Sequence, residues 1–350
     1  MPRQPKVRDP RAACAPLCAR PARAVVTGGA GFIGSHLCEA LLQRGFAVHA
    51  VDDLSAGSRD NLAVAARHPA MRFSVGSVAD AGVAAAVCED ADVVLHLAGV
   101  VGVRRLANEP LAVMQRNLRC TETMLAAAAA ASVPILLASS SEVYGDGPVP
   151  FREQDPVRPG TTEGRRGGYA CAKLMGEWLA FGHADQVGLP VAVVRLFNTV
   201  GPRQRGEHGM VLPRFLNQAL RGEPITVYGS GEQTRCFAHV VEVARALVDL
   251  VLAPGVAGTV VNVGSNHETT MQQLAELVRA RVGSRSAIRN LPIDSVFPAG
   301  FVDPPRRVPA LDRLRAAIGW VPDMPLAAIV EELIADGRRA GSQVAAQAMS

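Results

Sequence analysis

Lysine is nearly absent from this chain of 350 residues: of 36 basic side chains, only Lys6 and Lys173 are lysine. Aromatics are scarce at 4%, and tyrosine occurs only as Tyr144, Tyr169 and Tyr228. Long apolar runs are missing too. Charges interrupt every window of bilayer-spanning length, which argues against a membrane helix. The cysteines (Cys14, Cys18, Cys38, Cys88, Cys120, Cys171, Cys236) are odd in number and form no Cys-x-x-Cys pair. That pattern argues against a disulfide framework and a metal site, and predicts reduced thiols in a cytoplasmic protein. Net charge is also small. The formal +4 resides in residues 1–23, where Arg3, Lys6, Arg8, Arg11, Arg20 and Arg23 against Asp9 give +5 and leave −1 for the rest. No nucleic-acid or lipid face follows from such a balance.

What is present is a regular alternation of short apolar runs and helical periods from residue 24 onward, the pattern of βαβ units around a parallel sheet. It predicts strands at 24–27, 47–51, 72–75, 93–97, 135–139 and 191–196, with helices at 33–44, 111–131 and 169–187 among them. Beyond Pro202 the alternation loosens into helices at 212–221 and 240–252 and Pro-rich mixed segments. The expected fold is α/β: a Rossmann-type doubly wound sheet with a smaller mixed C-terminal lobe. The expected organisation is a disordered basic tail (1–22), a dinucleotide-binding domain (23–200), a substrate lobe partly interleaved with it (201–340) and a flexible tail (341–350). Pro2, Pro5, Pro10, Pro16 and Pro21, without an apolar run, do not read as a secretory signal.

The first strand runs into Gly28-Gly29-Ala30-Gly31-Phe32-Ile33-Gly34, which opens a helix. Gly28, Gly31 and Gly34 permit a tight turn, close approach to a pyrophosphate, and close packing of helix on sheet. Asp52 ends the next strand, where a carboxylate accepts from ribose hydroxyls and disfavours a 2′-phosphate, so the expected cofactor is NAD; Asp53 is placed to share that role. Tyr169 and Lys173 stand four apart in a helical stretch, hence on one face. A phenol has a reference pKa near 10, so making it a base near neutrality takes roughly 4 kcal/mol of selective phenolate stabilisation, which an adjacent ammonium supplies. The strand at 135–139 leads into Ser140-Ser141-Glu142-Val143-Tyr144-Gly145, at the carboxyl edge where such sheets bind ligands.

With these residues assembled, the chain resembles the extended short-chain dehydrogenase/reductase family of nucleotide-sugar epimerases, dehydratases and decarboxylases, from about Ala24 to Leu333. The resemblance includes His96-Leu97-Ala98-Gly99, Asn117, Arg195 to Arg203, Val227 to Arg235, and Asp303 to Pro309. It implies that Phe32, Ile33, Leu97, Ala98 and Lys173 join the cofactor contacts and that Ser140 assists Tyr169. It also implies that Asn198 and Arg235 meet the nucleotide phosphates, that Ser141 contacts the substrate, and that Arg307 meets the phosphates or the sugar carboxylate. Members begin alike, with Tyr169 taking the C4 hydroxyl proton as hydride leaves C4, giving a 4-keto sugar. Glucose dehydratases carry Thr-Asp-Glu where this chain has Ser140-Ser141-Glu142. The Ser-Glu pair with a matching arginine implies instead a UDP-glucuronic acid decarboxylase, with Ser140, Glu142, Tyr169, Lys173 and Arg307 as its catalytic set. A UDP-sugar 4-epimerase is the alternative, and a dinucleotide-binding scaffold or sensor without turnover is the reading from another class. The resemblance also implies a homodimer through helices 111–131 and 169–187. Two departures from the family pattern stand out: Ser77, where an adenine-contacting Asp is usual, and Gly167-Gly168, where bulkier residues are expected to shape the pocket.

Overall fold

A computed structural model describes residues 16–162, 167–204, 210–297 and 304–348. Most of the basic tail (1–15, with Cys14), Asp303 and residues 349–350 lie outside the described residues.

The first half alternates as follows: β1 (Arg23–Thr27), α1 (Phe32–Gln43), β2 (Ala47–Asp52), β3 (Met71–Val75), α2 (Ala81–Cys88), β4 (Val93–His96), α3 (Val103–Asn108), α4 (Pro110–Ala131), β5 (Ile135–Ser140), α5 (Gly167–Val187) and β6 (Val191–Leu196). The second half holds β7 (Thr199–Val200), α6 (Val211–Leu220), β8 (Ile225–Tyr228), β9 (Thr234–Cys236), β10 (Ala238–His239), α7 (Val240–Leu252), β11 (Val260–Val263), β12 (Glu268–Thr270), α8 (Met271–Val282), β13 (Ile288–Leu291), α9 (Asp312–Ile318) and α10 (Leu326–Ala348). Seven strands form one parallel sheet in the order β11-β6-β5-β4-β1-β2-β3.

Strand alternation explains the two covered faces. Val26, Ala50, Leu95 and Ala138 point to the side packed by Leu37, Leu41, Val243 and Leu247 of α1 and α7. Val25, Val94, Ile135 and Leu137 point to the side packed by Met124, Leu125 and Ala180 of α4 and α5. A strand buried on both faces reads as a near-continuous apolar run, which is why β4 and β6 stand out in the sequence. The seventh strand, β11, does not stand out, because Asn262 interrupts its apolar run. It pairs with β6 and returns the chain from the second lobe to the first sheet. That lobe has its own core of Leu212, Phe215, Val227, Leu274 and Ile329.

Two expected tails are shorter than the sequence suggests. Leu17 and Cys18 are 4% and 8% exposed, and the Cys18 amide donates to Val251 O at 3.0 Å, so the segment expected to be disordered through residue 22 is docked on α7 from Leu17. Burial of these two apolar side chains offsets the ordering cost that the prolines and charges of the tail suggested. At the other end, α10 continues to Ala348 through most of the expected flexible stretch 341–350, in keeping with its alanine-rich sequence. Among the described residues no helix is long and apolar enough to cross a membrane.

Candidate active site

The carboxyl ends of β1, β2, β4, β5 and β6 open on one cavity of about 840 Å³. On its first wall the glycine loop is shaped by close approaches. Gly28 has φ +70°, and a Cβ at Gly34 would stand 2.1 Å from Gly28 O, so backbone occupies the space a side chain needs. Helix α1 starts at Gly31 with no side-chain cap and no acidic residue in its first turn. Its leading N–H groups and positive dipole end therefore suit an anion such as a pyrophosphate. Phe32, Ile33, Leu97 and Ala98 line the same wall. Asp52 is 8% exposed and accepts from the amides of Ala30 at 3.0 Å and Leu54 at 2.8 Å, one on each oxygen. Burial raises its carboxyl above the ordinary value, and those two amides oppose the rise. An ionised carboxylate has about four acceptor positions, so Asp52 keeps capacity for a ribose.

The second wall carries the pair read from the sequence. Tyr169 and Lys173 sit on the first turns of α5, 6% and 8% exposed. Val100, Leu106 and Val113 close around the Tyr169 ring. Burial pushes the phenol well up from its ordinary value, and a hydrogen bond with the Ser140 hydroxyl counteracts this. Burial also brings the Lys173 amine down to about 8, and its Nζ donates to Ala138 O at 2.9 Å. Nearby, Asn117 donates from Nδ2 to Val100 O and Val113 O at 2.9 and 2.8 Å. Its Oδ1, although buried, meets no donor among the described residues. A Cβ placed on Gly99 would lie 2.5 Å from that oxygen and 3.5 Å from Lys173 Nζ, so the orphan acceptor and the amine converge on one spot. A buried acceptor without a donor is a position for a ligand hydroxyl or a water. Glycine cradle, uncapped helix end, Asp52 and this convergent pair together fit a dinucleotide.

On the third wall, Arg307 Nη1 donates to Glu142 Oε1 at 2.6 Å, across 165 residues of sequence. Both charges act on Tyr169, the carboxylate raising and the guanidinium lowering its phenol. Ser141 is buried beside them. Asn198 Nδ2 donates to Cys236 O at 3.4 Å, and Arg235, 7% exposed, donates to Thr234 O at 2.6 Å. Every site residue expected from the sequence therefore borders this one cavity.

Other positions were not expected. The guanidinium carbon of Arg214 lies 3.9 Å from the Tyr228 ring centre on the cavity wall, and Arg116 and Arg119 line it one turn apart on α4. Only helical spacing signals these arginines in the sequence. Gly167 and Gly168 do not line the cavity. A Cβ at Gly168 would meet Met114 Sδ at 2.5 Å and one at Gly167 would meet Pro159 O at 2.8 Å, so they serve the packing of α4 against the start of α5. Ser77 does line the cavity, beyond the end of β3.

Residues 24–264 match the profile of the NAD dependent epimerase/dehydratase family. The chain is 36% identical over 304 residues to the UDP-N-acetyl-alpha-D-glucosaminuronate decarboxylase of Bacillus cytotoxicus, covering 86% of this chain and 93% of that protein. It is 34% identical over 304 residues to UDP-glucuronic acid decarboxylase 1 of Danio rerio, covering 87% and 70%. Among solved structures it resembles the UDP-N-acetylglucosamine 4-epimerase from Methanobrevibacter ruminantium M1, in complex with UDP-N-acetylmuramic acid, at TM-score 0.82 and 28% identity over 92% of this chain and 99% of that one. Over two thirds of its length fits that family profile and a relative at 36% identity spans 86% of it, so the chain is an enzyme of the NAD dependent epimerase/dehydratase family.

Proposed function

We propose that this enzyme is an NAD-dependent UDP-hexuronic acid decarboxylase that works through a 4-keto sugar. The observation carrying this reading is the Glu142–Arg307 pair at 2.6 Å beside Tyr169, a guanidinium suited to a sugar carboxylate. In this reading the amides of the glycine loop, Asp52, Asn117 and Lys173 hold the dinucleotide, which when bound accepts and returns a hydride and adds positive charge beside Tyr169. Tyr169 takes the C4 hydroxyl proton, Ser140 orients that transfer, and Lys173 stabilises the phenolate. Arg307 exchanges Glu142 for the C6 carboxylate, which lies β to the resulting ketone, so the C5–C6 electrons pass into an enolate as carbon dioxide leaves. Asn198 and Arg235 hold the diphosphate. The absence of an acidic residue at Ser141 removes the acid that loss of water would need.

A second reading, a UDP-sugar 4-epimerase, draws on the solved structure that the fold resembles. Incubating the protein and NAD separately with UDP-glucuronic acid, its 2-acetamido counterpart, UDP-glucose and UDP-N-acetylglucosamine, followed by mass spectrometry and proton NMR, decides between them. Loss of carbon dioxide from a uronate is expected. Unchanged mass with inversion at C4 would replace the decarboxylase by the epimerase. No turnover with any of the four would favour a scaffold. Tyr169→Phe is expected to keep NAD affinity within about twofold while lowering turnover by at least about a thousandfold, the scale of a lost general base. Comparable activity would put the base elsewhere.

The same reading includes a homodimer. Leu111 on α4 is 65% exposed, and Met175 and Trp178, about one turn apart on the adjacent helix α5, are 49% and 68% exposed. Large apolar side chains exposed on two helices that pack together favour a covered surface. Sedimentation at micromolar concentration should give a dimer, and a monomer would refute it.

A further inference from the structure

Beneath the catalytic centre lies a buried polar network that the chemistry above leaves unused. Ser139 precedes Ser140 on β5, and its hydroxyl donates to Glu177 Oε1 at 2.5 Å. Glu177 lies on α5 one turn beyond Lys173, whose amine donates to Ala138 O. Two successive residues of β5 are thus fastened to the helix bearing Tyr169 and Lys173. Arg195, on β6, grips Glu177 through Nε and Nη2 at 3.0 and 2.7 Å. The guanidinium carbon of Arg195 lies over the Tyr144 ring, 4.6 Å from its centre, and Tyr144 closes the short turn that follows Ser140. Finally, the Tyr144 hydroxyl donates to Asn262 Oδ1 on β11 at 2.8 Å.

Both charged side chains are only 5% exposed. Withdrawing a carboxylate and a guanidinium from water commonly yields no more net stability than an apolar pair of the same volume, so stability alone does not account for them. Direction is what the charged pair adds, since each hydrogen bond fixes both a distance and an orientation between two elements. We propose that Glu177 is a positioning residue for the reaction: held by Arg195, it sets the end of β5 against α5 and so fixes Ser140 relative to Tyr169 and Lys173. This rests on reading those three residues as catalytic. Proton transfer between hydroxyls tolerates little displacement, and a shift near 1 Å costs about a hundredfold in rate.

The test replaces the charged pair by apolar side chains of similar size, Glu177→Leu with Arg195→Met, and separately removes the strand tie with Ser139→Ala. In the double variant kcat should fall at least about tenfold, with NAD affinity, KM and melting temperature close to wild type. That split distinguishes a positioning role from a structural one. In Ser139→Ala, which deletes one oxygen and keeps the ion pair, kcat should fall severalfold at unchanged KM. Crystal structures of both variants supply a readout that needs no substrate: the Ser140–Tyr169 hydrogen bond should be lengthened or broken. A bond preserved in both, or kcat within about twofold of wild type in both, overturns the proposal. If the double variant does not fold, Ser139→Ala decides by the same measures. Wild-type protein inactive on every nucleotide-sugar would count against the functional reading, while the crystallographic arm would still decide the positioning role.

Discussion

Two buried glutamate–arginine pairs flank the end of β5, and they differ in what surrounds them. Glu177 and Arg195 are both 5% exposed, joined through two nitrogens, with Ser139 and the Tyr144 ring completing the shell. Arg307 meets Glu142 through one nitrogen, the two side chains being 5% and 17% exposed at the edge of the cavity. A pair satisfied on all sides has no reason to exchange partners and serves geometry. A pair facing open volume can trade one carboxylate for another, which is what binding a uronate requires. The same two residue types thus do different work according to whether the site is sealed.

The contrast breaks most visibly if one member of the sealed pair is removed. Arg195→Met leaves the Glu177 carboxylate buried without its cation, and should cost about 3–5 kcal/mol of stability, the scale for an uncompensated buried charge. Denaturant unfolding reads this directly, and a loss below about 1 kcal/mol would erase the distinction between the pairs. Arg307→Met should behave oppositely. Stability should change by about 1 kcal/mol or less, because Glu142 is near enough to the cavity to rehydrate, while kcat/KM for the uronate should fall on the order of a hundredfold, about 2.7 kcal/mol of transition-state stabilisation. Equal effects of both substitutions on folding would mean that the cavity pair is structural as well.

Lys173 sharpens the contrast from another side, as a charge kept in a dry wall for chemistry. Its folded value of about 8, against 10.5 for the free side chain, is caused mainly by burial. A base whose pKa is depressed by folding destabilises the protein fully below the folded value, and the penalty fades as pH rises from about 8 toward 10.5. Lys173→Met should therefore abolish turnover yet stabilise the fold at pH 7 by up to about 3 kcal/mol. The gain should shrink above pH 8. A gain that is constant from pH 7 to pH 10 would show that the stabilisation comes from packing.

How much of this was legible in the sequence follows the distance over which each feature is encoded. The glycine loop, Asp52, the Ser140 to Glu142 turn and the Tyr169–Lys173 pair are local patterns, each written within a few residues at the end of a strand or the start of a helix. Strands β1, β2, β4, β5 and β6 were readable for the same reason, since burial on both faces leaves a dense apolar run, whereas β3, at the sheet edge, has no buried residue. The pairing of Glu177 with Arg195 carries no such mark, although Arg195 opens a stretch of the family resemblance, because what unites the two is the neighbouring of α5 and β6 in space. The packing constraint on Gly168 carries no local mark either, because Met114 of α4, which a Cβ there would meet, lies far away in sequence. Leu17 and Cys18 were misjudged because the prolines and charges around them outweighed two apolar residues whose partner, α7, comes much later in the chain.

His96 offers the smallest and most discriminating test, since it is sealed like Glu177 yet carries no charge. Thr27 Oγ1 accepts from the Ala98 amide at 3.1 Å and lies 2.8 Å from His96 Nδ1, while Thr121 Oγ1 lies 3.4 Å from Nε2, so one neutral tautomer of the ring satisfies both contacts. Every polar atom of the imidazole is thus used in its neutral form. Burial, reinforced by Lys173, lowers its pKa to about 3, and burial lowers that of His36 to about 4. A base with a depressed folded pKa contributes stability that is present above its unfolded value near 6.5 and is lost as pH falls through the folded value. Each of these histidines should therefore cost about 1.4 kcal/mol of stability per pH unit on acidification below 6.5, until its own folded pKa is reached. His96→Gln should remove one such contribution and leave those of His36 and His49, whose ring burial also lowers, reducing the slope of unfolding free energy between pH 6 and pH 4.5 by about 1.4 kcal/mol per pH unit. An unchanged slope would mean that His96 takes up its proton in the folded state, and that the site beneath the cavity is wetter than its hydrogen bonds indicate.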